Sequence, residues 1–389
     1  MTGGRYTSAV HKPDCHIPFG STGKELRDHR GGEQHVVGRG DEQRSVAVRK
    51  RRSNRVGNRT VCVAPLNGSR DSSDGGIAGQ WGGIVLLGKA PTNKCDAAAL
   101  ANCKIEAEGN AGPYGGADAA DNSGVLKYVR VKHAGYEVLQ DNELNGITFA
   151  GVGRGTTVEY IQVHNNLDDG VEFFGGTVDA KYVVLTGNRD DSLDWADGWT
   201  GRMQHVLIRH NPNNTKAGRG IEADNQSGNF TATPVSNPTI ANMTIIGNNF
   251  DGDDDSEGVL LRAGTNAKLH NFVITGPAGM GECLELDTDE TKAFAISGEL
   301  EFTNSVIACN EPTVGDLGNG TTTEQWFLAQ DGNSLAANQA AVLDGIFTID
   351  ATAPKDMTAV DDFFEAVDFI GAVKDGNDWT AGWAVGLDD

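Results

Sequence analysis

The chain is poor in several things that would mark a protein class. Proline is only 11 of 389 residues, and although glycine is plentiful at 52 it does not fall at every third position, which excludes a collagen-like rod. No apolar run approaches the roughly 20 residues a membrane-spanning helix needs, which excludes a transmembrane segment. Cysteine numbers six and forms no Cys-x-x-Cys pair, so a zinc ribbon is not expected. Basic residues are outnumbered, 32 Lys+Arg against 54 Asp+Glu, for a formal net charge of −22. A chain this acidic is a poor general ligand for nucleic acid or anionic lipid. No serine-nucleophile elbow, phosphate loop or dinucleotide fingerprint is present. Gly151-Val-Gly-Arg-Gly155 reads as a turn between strands, because no helix follows it.

The charge is uneven. Residues 1–70 carry 14 basic and 6 acidic side chains, while the remainder carries a net −30. The basic stretch includes Arg49, Lys50, Arg51, Arg52, Arg55 and Arg59, four of the nine histidines, and little apolar periodicity. It reads as a basic arm for an anionic partner, as a disordered tail, or as a segment translated out of frame. The last is preferred, because regular strand patterning begins abruptly near Gly75. No apolar h-region follows Met1, so the literal reading is a cytosolic chain; a displaced start would remove that inference.

What the rest of the chain contains is a repeat. Tyr160-Ile-Gln-Val-His-Asn-Asn166 returns as Tyr182-Val-Val-Leu-Thr-Gly-Asn188, His205-Val-Leu-Ile-Arg-His-Asn211, Asn242-Met-Thr-Ile-Ile-Gly-Asn248 and Asn304-Ser-Val-Ile-Ala-Cys-Asn310, with Asn271 to Pro277 as a variant. Second and fourth positions are mostly apolar, the period-2 signature of a strand with one buried face. A shorter strand alternates with it: Asn145-Gly-Ile-Thr-Phe149, Asp169-Gly-Val-Glu-Phe173, Asp191-Ser-Leu-Asp-Trp195, Arg219-Gly-Ile-Glu-Ala223 and Glu257-Gly-Val-Leu-Leu261. A unit of about 22–24 residues made of short strands cannot bury its apolar face alone, whereas stacked units bury one continuous core. The Leu-x-x-Leu-x-Leu frame of leucine-rich repeats is missing, which leaves a parallel β-helix. Right-handedness follows from crossover sterics. The terminal Asn166, Asn188, Asn211, Asn248 and Asn310 are expected to stack as an amide ladder.

This pattern resembles the right-handed parallel β-helix of pectate-lyase-like proteins. Gly79-Gln-Trp-Gly-Gly-Ile-Val-Leu-Leu-Gly88, Asp168-Asp-Gly-Val-Glu-Phe-Phe-Gly-Gly-Thr177, Asp190-Asp-Ser-Leu-Asp-Trp195 and the ending Phe369-Ile-Gly-Ala…Asp378-Trp-Thr-Ala-Gly-Trp383 resemble segments of bacterial cell-surface or secreted β-helix proteins, often labelled lipoproteins. The resemblance covers roughly residues 76–389. It implies an extracellular or outer-membrane location in a Gram-negative bacterium, a monomer, and a polysaccharide or cell-envelope component as partner. It carries no established activity. The domain reading is an irregular segment over 1–75, the β-helix over 76–310, and final coils with a C-terminal cap over 311–389, where Phe363-Phe-Glu-Ala-Val-Asp-Phe-Ile370 closes the last coil.

In the short strands, apolar residues flank one outward position, which predicts the row Thr148, Glu172, Asp194, Glu222. Adjacent strands lie about 4.8 Å apart, so three carboxylates stack, with Asp168, Asp169, Asp190 and Asp191 before them and Asp197 and Asp224 after. Three readings fit. One is a Ca²⁺ site built from Asp168, Asp169, Glu172, Asp190, Asp191, Asp194 and Asp197, since calcium takes six to eight oxygens. Another is a polysaccharide lyase or glycosidase centre using Glu172, Asp194 and Glu222 as acid and base or nucleophile. The third is a solvated acidic face with turn aspartates capping backbone N–H groups. A non-catalytic Ca²⁺-binding module is preferred. Trp195 is expected in the core, whereas Trp199 is expected in a turn beside the acidic face, holding glycan together with Arg202. Asp251-Gly-Asp-Asp-Asp-Ser-Glu257 is a second acidic loop without a full EF-hand pattern. His164, His205 and His210 read as surface-facing structural residues. Cys95 and Cys103 bracket a polar loop suited to a disulfide of an exported protein, and Cys283 and Cys309 lie one repeat apart, placed to cross-link neighbouring coils.

Overall fold

The computed structural model describes residues 77–139, 142–212, 218–248, 258–277 and 282–387, together with the backbone of strands Val36–Val37, Val46–Val48 and Val61–Val63. The acidic loop 251–257 and Cys15 lie outside the described residues. The two strand types of the sequence repeat form two long parallel sheets. The short-strand sheet runs Val46–Val48, Ile84–Leu87, Ile147–Ala150, Val171–Phe174, Leu193–Ala196, Ile221–Ala223, Val259–Leu261, Leu284–Leu286, with Val36–Val37 antiparallel at its edge. The long-strand sheet runs Val61–Val63, Val125–Lys132, Thr157–His164, Ala180–Thr186, Arg202–Arg209, Thr239–Ile246, Lys268–Thr275 and Val306–Ala308 to Ser334–Leu335. Consecutive coils contribute one strand to each sheet, as a parallel β-helix requires.

Each long strand bends once. Tyr128, Tyr160, Tyr182, His205, Asn242, Asn271 and Asn304 all have φ between 51° and 61°, and the strand pairing steps over them. In the last of these coils the bend divides the strand into Glu301–Thr303 and Val306–Ala308, which pair with the two arms of Lys268–Thr275. The first residue of the seven-residue repeat is therefore a corner. Asparagine adopts this left-handed geometry at little cost, whereas a bulky residue does so only when something compensates. The tyrosines are compensated by stacking: successive rings from Tyr128 to Tyr160, Tyr182 and His205 are 4.6, 4.4 and 4.9 Å apart and within 14° of parallel. The amide ladder is consequently not where the repeat endings place it alone. Asn166, Asn188 and Asn248 are buried, but Asn211 and Asn310 are exposed.

The inward positions of both sheets make one continuous core. Phe173 lies face to face with Phe149 on one side (5.0 Å) and Trp199 on the other (4.1 Å). Coils approach so closely that Gly170 has no room for a side chain: a Cβ there would fall 2.3 Å from Asn188 Nδ2. Cys283 and Cys309 cross-link adjacent coils. The lower end is closed by the helices Asp289–Ser297 and Thr323–Ala329, with Phe327 edge-on to Phe302.

The segment after residue 342 does not close the last coil. It runs back over the corner of the long-strand sheet, and coil side chains donate to its carbonyls: Asn304 to Ala353, Asn271 to Lys355, Asn242 to Phe369, Gln204 to Glu365, Gln162 to Val385 and Arg130 to Trp383. Phe363 packs over Arg202 and Lys181 in the middle of the stack, and Trp379 and Trp383 cover the tyrosine row. His164, His205 and His210 are buried rather than surface-facing, the strap covering the first two.

Replacing Phe173 by Ala removes the middle ring of a fully buried aromatic stack and is expected to cost about 3–5 kcal/mol. Urea or thermal denaturation of the two chains measures it. A loss below about 1 kcal/mol would show that the stack relaxes and that the core is not set by it.

Candidate functional site

The short-strand sheet fixes the acidic row by register. Thr148 pairs with Glu172, Glu172 with Asp194 and Asp194 with Glu222, as the period-2 pattern predicts. Because inward neighbours such as Val171, Phe173, Leu193 and Trp195 are fully buried, the carboxylates project from the opposite side. Two residues before the strands a second row stacks. The backbone N–H of Asp191 donates to Asp169 Oδ1 (3.0 Å), and that of Arg219 donates to Asp191 Oδ1 (2.5 Å). Asp169 and Asp191 thus each cap the next coil with one oxygen and keep a second for the acidic face.

Three sets of carboxylates have oxygens within 4.8 Å of one another: Asp168, Asp169 and Asp190; Asp169, Glu172 and Asp194; Asp191, Asp194 and Glu222. The sets share Asp169 and Asp194, so they form one continuous track across three coils. The face is only partly solvated: Asp190 is exposed and Asp168, Asp194 and Glu222 are half-buried. Asp169, Asp191 and Glu172 are 7, 4 and 8% exposed. Burial, reinforced by neighbouring carboxylates, holds the carboxyls of Asp169, Glu172, Asp191 and Asp194 well above their ordinary range. Asn145 Nδ2 donates to Glu172, but the buried Asp194 Oδ1 accepts no hydrogen bond. An unpartnered buried carboxylate oxygen costs free energy until a proton or a cation reaches it.

Cations stand at the Glu222 end of the track and beside it. Arg219 and Arg262 hold Glu222 at 2.7 and 2.5 Å, and Arg262 also takes Asp224 at 2.9 Å. Beside the track, on the coil of Asp194, Lys94 Nζ lies 2.8 Å from Asp197. Asp197 does not join the acidic track. It follows the strand end in left-handed geometry (φ 59°), and its carboxylate is taken by Lys94 and by the Tyr114 hydroxyl at 3.3 Å. These partners come from the 88–116 loop. Its Ile105, Ala107, Ala111 and Tyr114 pack on Leu87, Ala150, Phe174 and Ala196 of the short strands, beside the acidic row. The same loop brings Glu108 toward Asp168; burial and that negative neighbour raise its carboxyl to about 8. Neither Lys94 nor Glu108 was legible as a site residue, because the loop has no periodic signal and meets its partners about 60–100 residues downstream.

Two expected ligand residues lie elsewhere. Trp199 is fully buried, its indole N–H donating to Val178 O, so it is core and offers no sugar platform. The turn after Asp197 directs it inward onto Phe173. Arg202 lies on the long-strand sheet, bonded to Asp179 and to Asp361 of the strap, and is committed there.

The sequence pattern of the pectate-lyase like beta helix domain matches residues 70–384. The chain belongs to this family. Comparison with curated proteins and with solved structures finds no match. Among the described residues no helix is long and apolar enough to cross a membrane.

The raised carboxyls make a pH test. The folded chain keeps protons on them at pH values where the unfolded chain has lost them, so without cations stability falls as pH rises. The buried His205, His210 and His270, lowered to about 4, 4 and 3, act oppositely: their contribution is lost as pH falls below the ordinary imidazole value. Between about pH 7 and pH 9 the histidines are neutral in both states, and the melting temperature in chelator is expected to decline. A flat profile would show the acidic track already neutralised within the chain.

Proposed function

We propose that this β-helix is an exported, non-catalytic module whose short-strand face binds divalent calcium along the track from Asp168 to Glu222. The observation that carries the reading is the geometry of that track: three overlapping carboxylate sets within ligand-sharing distance, largely withdrawn from water. Around it stand ten carboxyls, those named above with Glu108, Asp197 and Asp224, against Lys94, Arg219 and Arg262 among the described residues. The donor set is entirely carboxylate oxygen, which suits a hard cation, and the orphaned Asp194 Oδ1 fits as a ligand atom. Asp169, Glu172 and Asp194 would hold one ion, and Asp168 with Asp190 or Asp191 with Glu222 would extend the track. Bound calcium supplies charge neutralisation and cross-linking of coils. The disulfides Cys95–Cys103 and Cys283–Cys309 support an oxidising compartment.

The accessibility of the same residues argues against a lyase or glycosidase here. Glu172 is 8% exposed beneath the 88–116 loop, so a sugar ring cannot reach it in this conformation. The arginines nearest the track are engaged with Glu222 and Asp224, and Trp199 is unavailable for stacking.

Calcium titration by calorimetry, with melting followed in calcium and in chelator, tests the proposal. Calcium at 100 times its dissociation constant is expected to add about 2.7 kcal/mol of stability. Glu172→Gln with Asp194→Asn is expected to abolish that gain while raising the melting temperature in chelator, since it removes a repelling buried pair. No heat and no shift at millimolar calcium would sink the binding reading. Calcium-dependent depolymerisation of a uronic-acid polysaccharide would replace it with the enzymatic one.

A further inference from the structure

The 88–116 loop meets the acidic face through two kinds of contact, and one covalent bond joins them. Thr92 Oγ1 and Asn93 N donate to Asp197 O at 3.0 and 2.9 Å, and Lys94 and Tyr114 take the Asp197 carboxylate. The apolar foot of the loop lies further along, between Ile105 and Tyr114. Cys95, next to Lys94, is bonded to Cys103, just before the foot. The sulfur of Cys103 rests on Gly115, where a Cβ would come within 2.5 Å, so the bridge also presses against the residue after Tyr114. Between the two cysteines runs only a short 3₁₀ segment, Ala97–Asn102, with no buried residue. Without the bridge, nothing in that segment anchors the Lys94 end to the foot.

Among the described residues, the two disulfides differ in access. Cys283 and Cys309 are 0 and 6% exposed inside the core, whereas Cys95 and Cys103 are partly exposed at the surface of the loop. An attacking thiolate needs a path to sulfur, and of these two bridges the loop's is the more accessible.

We propose that Cys95–Cys103 is a redox latch on a lid over the carboxylate track, and that a dithiol reductant opens it. The reductant's thiolate attacks one sulfur of the bridge, forming a mixed disulfide and releasing the other cysteine as a thiolate. The reductant's second thiol then displaces the first cysteine. Two electrons pass to the chain, which gains two thiols, and the reductant leaves as a disulfide. With the bridge open, the Lys94 end stays tied to the coils through Thr92 and Asn93, while the exposed 96–104 segment and the foot beside Glu172 lose their covalent tie to it and loosen. Cations bound on the track then exchange faster. This last step rests on the calcium reading; the latch itself does not.

The test uses the full chain and a mild dithiol. Differential alkylation with mass mapping is expected to label Cys95 and Cys103 while Cys283 and Cys309 stay bridged. Amide hydrogen exchange over 96–116, measured in chelator, is expected to rise on reduction, and Cys95→Ser with Cys103→Ser is expected to reproduce the rise without reductant. Calcium release into excess chelator, followed by stopped flow, is expected to accelerate by about tenfold in both opened forms. A bridge that resists the dithiol, or amides that exchange unchanged once it is reduced, would overturn the latch. Faster amide exchange with unchanged calcium release would overturn the gating. Faster amide exchange in a chain that binds no calcium in either form would leave the latch standing and remove the calcium reading instead.

Discussion

Everything in this fold follows from parallel stacking in register. Each coil sits about 4.8 Å from the next, and pairing such as Glu172 to Asp194 to Glu222 places like positions directly above one another. Stacking multiplies whatever a position contains. Inward apolar residues become a continuous core, and Phe149, Phe173 and Trp199 become an aromatic column. At the corner, a left-handed residue that would be costly alone is stabilised by the identical ring above and below it. Asparagine at the later corners needs no such help, and it uses its amide to hold the strap instead. Carboxylates are the one type in these rows that stacking cannot reconcile: two unit charges at this spacing repel by roughly 1 kcal/mol in water and several times more in a protein surface of lower dielectric.

The two long excursions from the stack deal with its two exposed flanks. The strap from residue 343 onward covers the corner of the long-strand sheet, meeting coil after coil through its backbone carbonyls. The 88–116 loop covers part of the short-strand sheet, placing apolar residues on the row that contains Ala150 and Phe174 and a lysine on Asp197. Their effects differ. The strap satisfies polar side chains that point at it, Gln162, Gln204 and Asn242 among them. The loop withdraws water from the acidic row without satisfying it, and Glu108 adds another carboxyl to that face. A cover that increases the cost of an acidic row is intelligible if the row is occupied by a cation when the chain is at work.

The sequence pattern made the register legible because alternation in a short strand admits only one inward set. Val171 and Phe173 inward fix Glu172 outward, and the same argument places Asp194 and Glu222. It could not show the bend at Tyr160 or Tyr182, because a left-handed tyrosine has no local signature; only the ring of the neighbouring coil makes it affordable. Trp199 was misplaced for a related reason. Asp197-Gly198 reads as the start of a surface turn, yet the turn delivers the indole onto Phe173. Asp197 and Arg202 lie close in sequence to the acidic row, yet both are claimed by partners that arrive from afar: Lys94 for the one, Asp361 for the other. Covers of this kind carry no periodicity and pair with distant coils, so no window of sequence contains both halves of the contact.

The same stacking explains why the proposed binding face is also a liability. A single buried carboxylate can take up a proton, but in a row each proton gained lightens the load on its neighbours, so the row responds as a unit. A divalent ion does more than protons can: it neutralises two carboxylates at once and ties adjacent coils through the sets that share Asp169 and Asp194. The arginines at Glu222 terminate the row with the chain's own charges, and the lysine at Asp197 flanks it. They leave the middle, where Asp194 Oδ1 has no partner, as the place where an external cation gains most. On the proposed calcium reading, a solenoid that repeats an acidic residue over three coils has moved part of its own cohesion into the solvent, and its stability follows the cations around it.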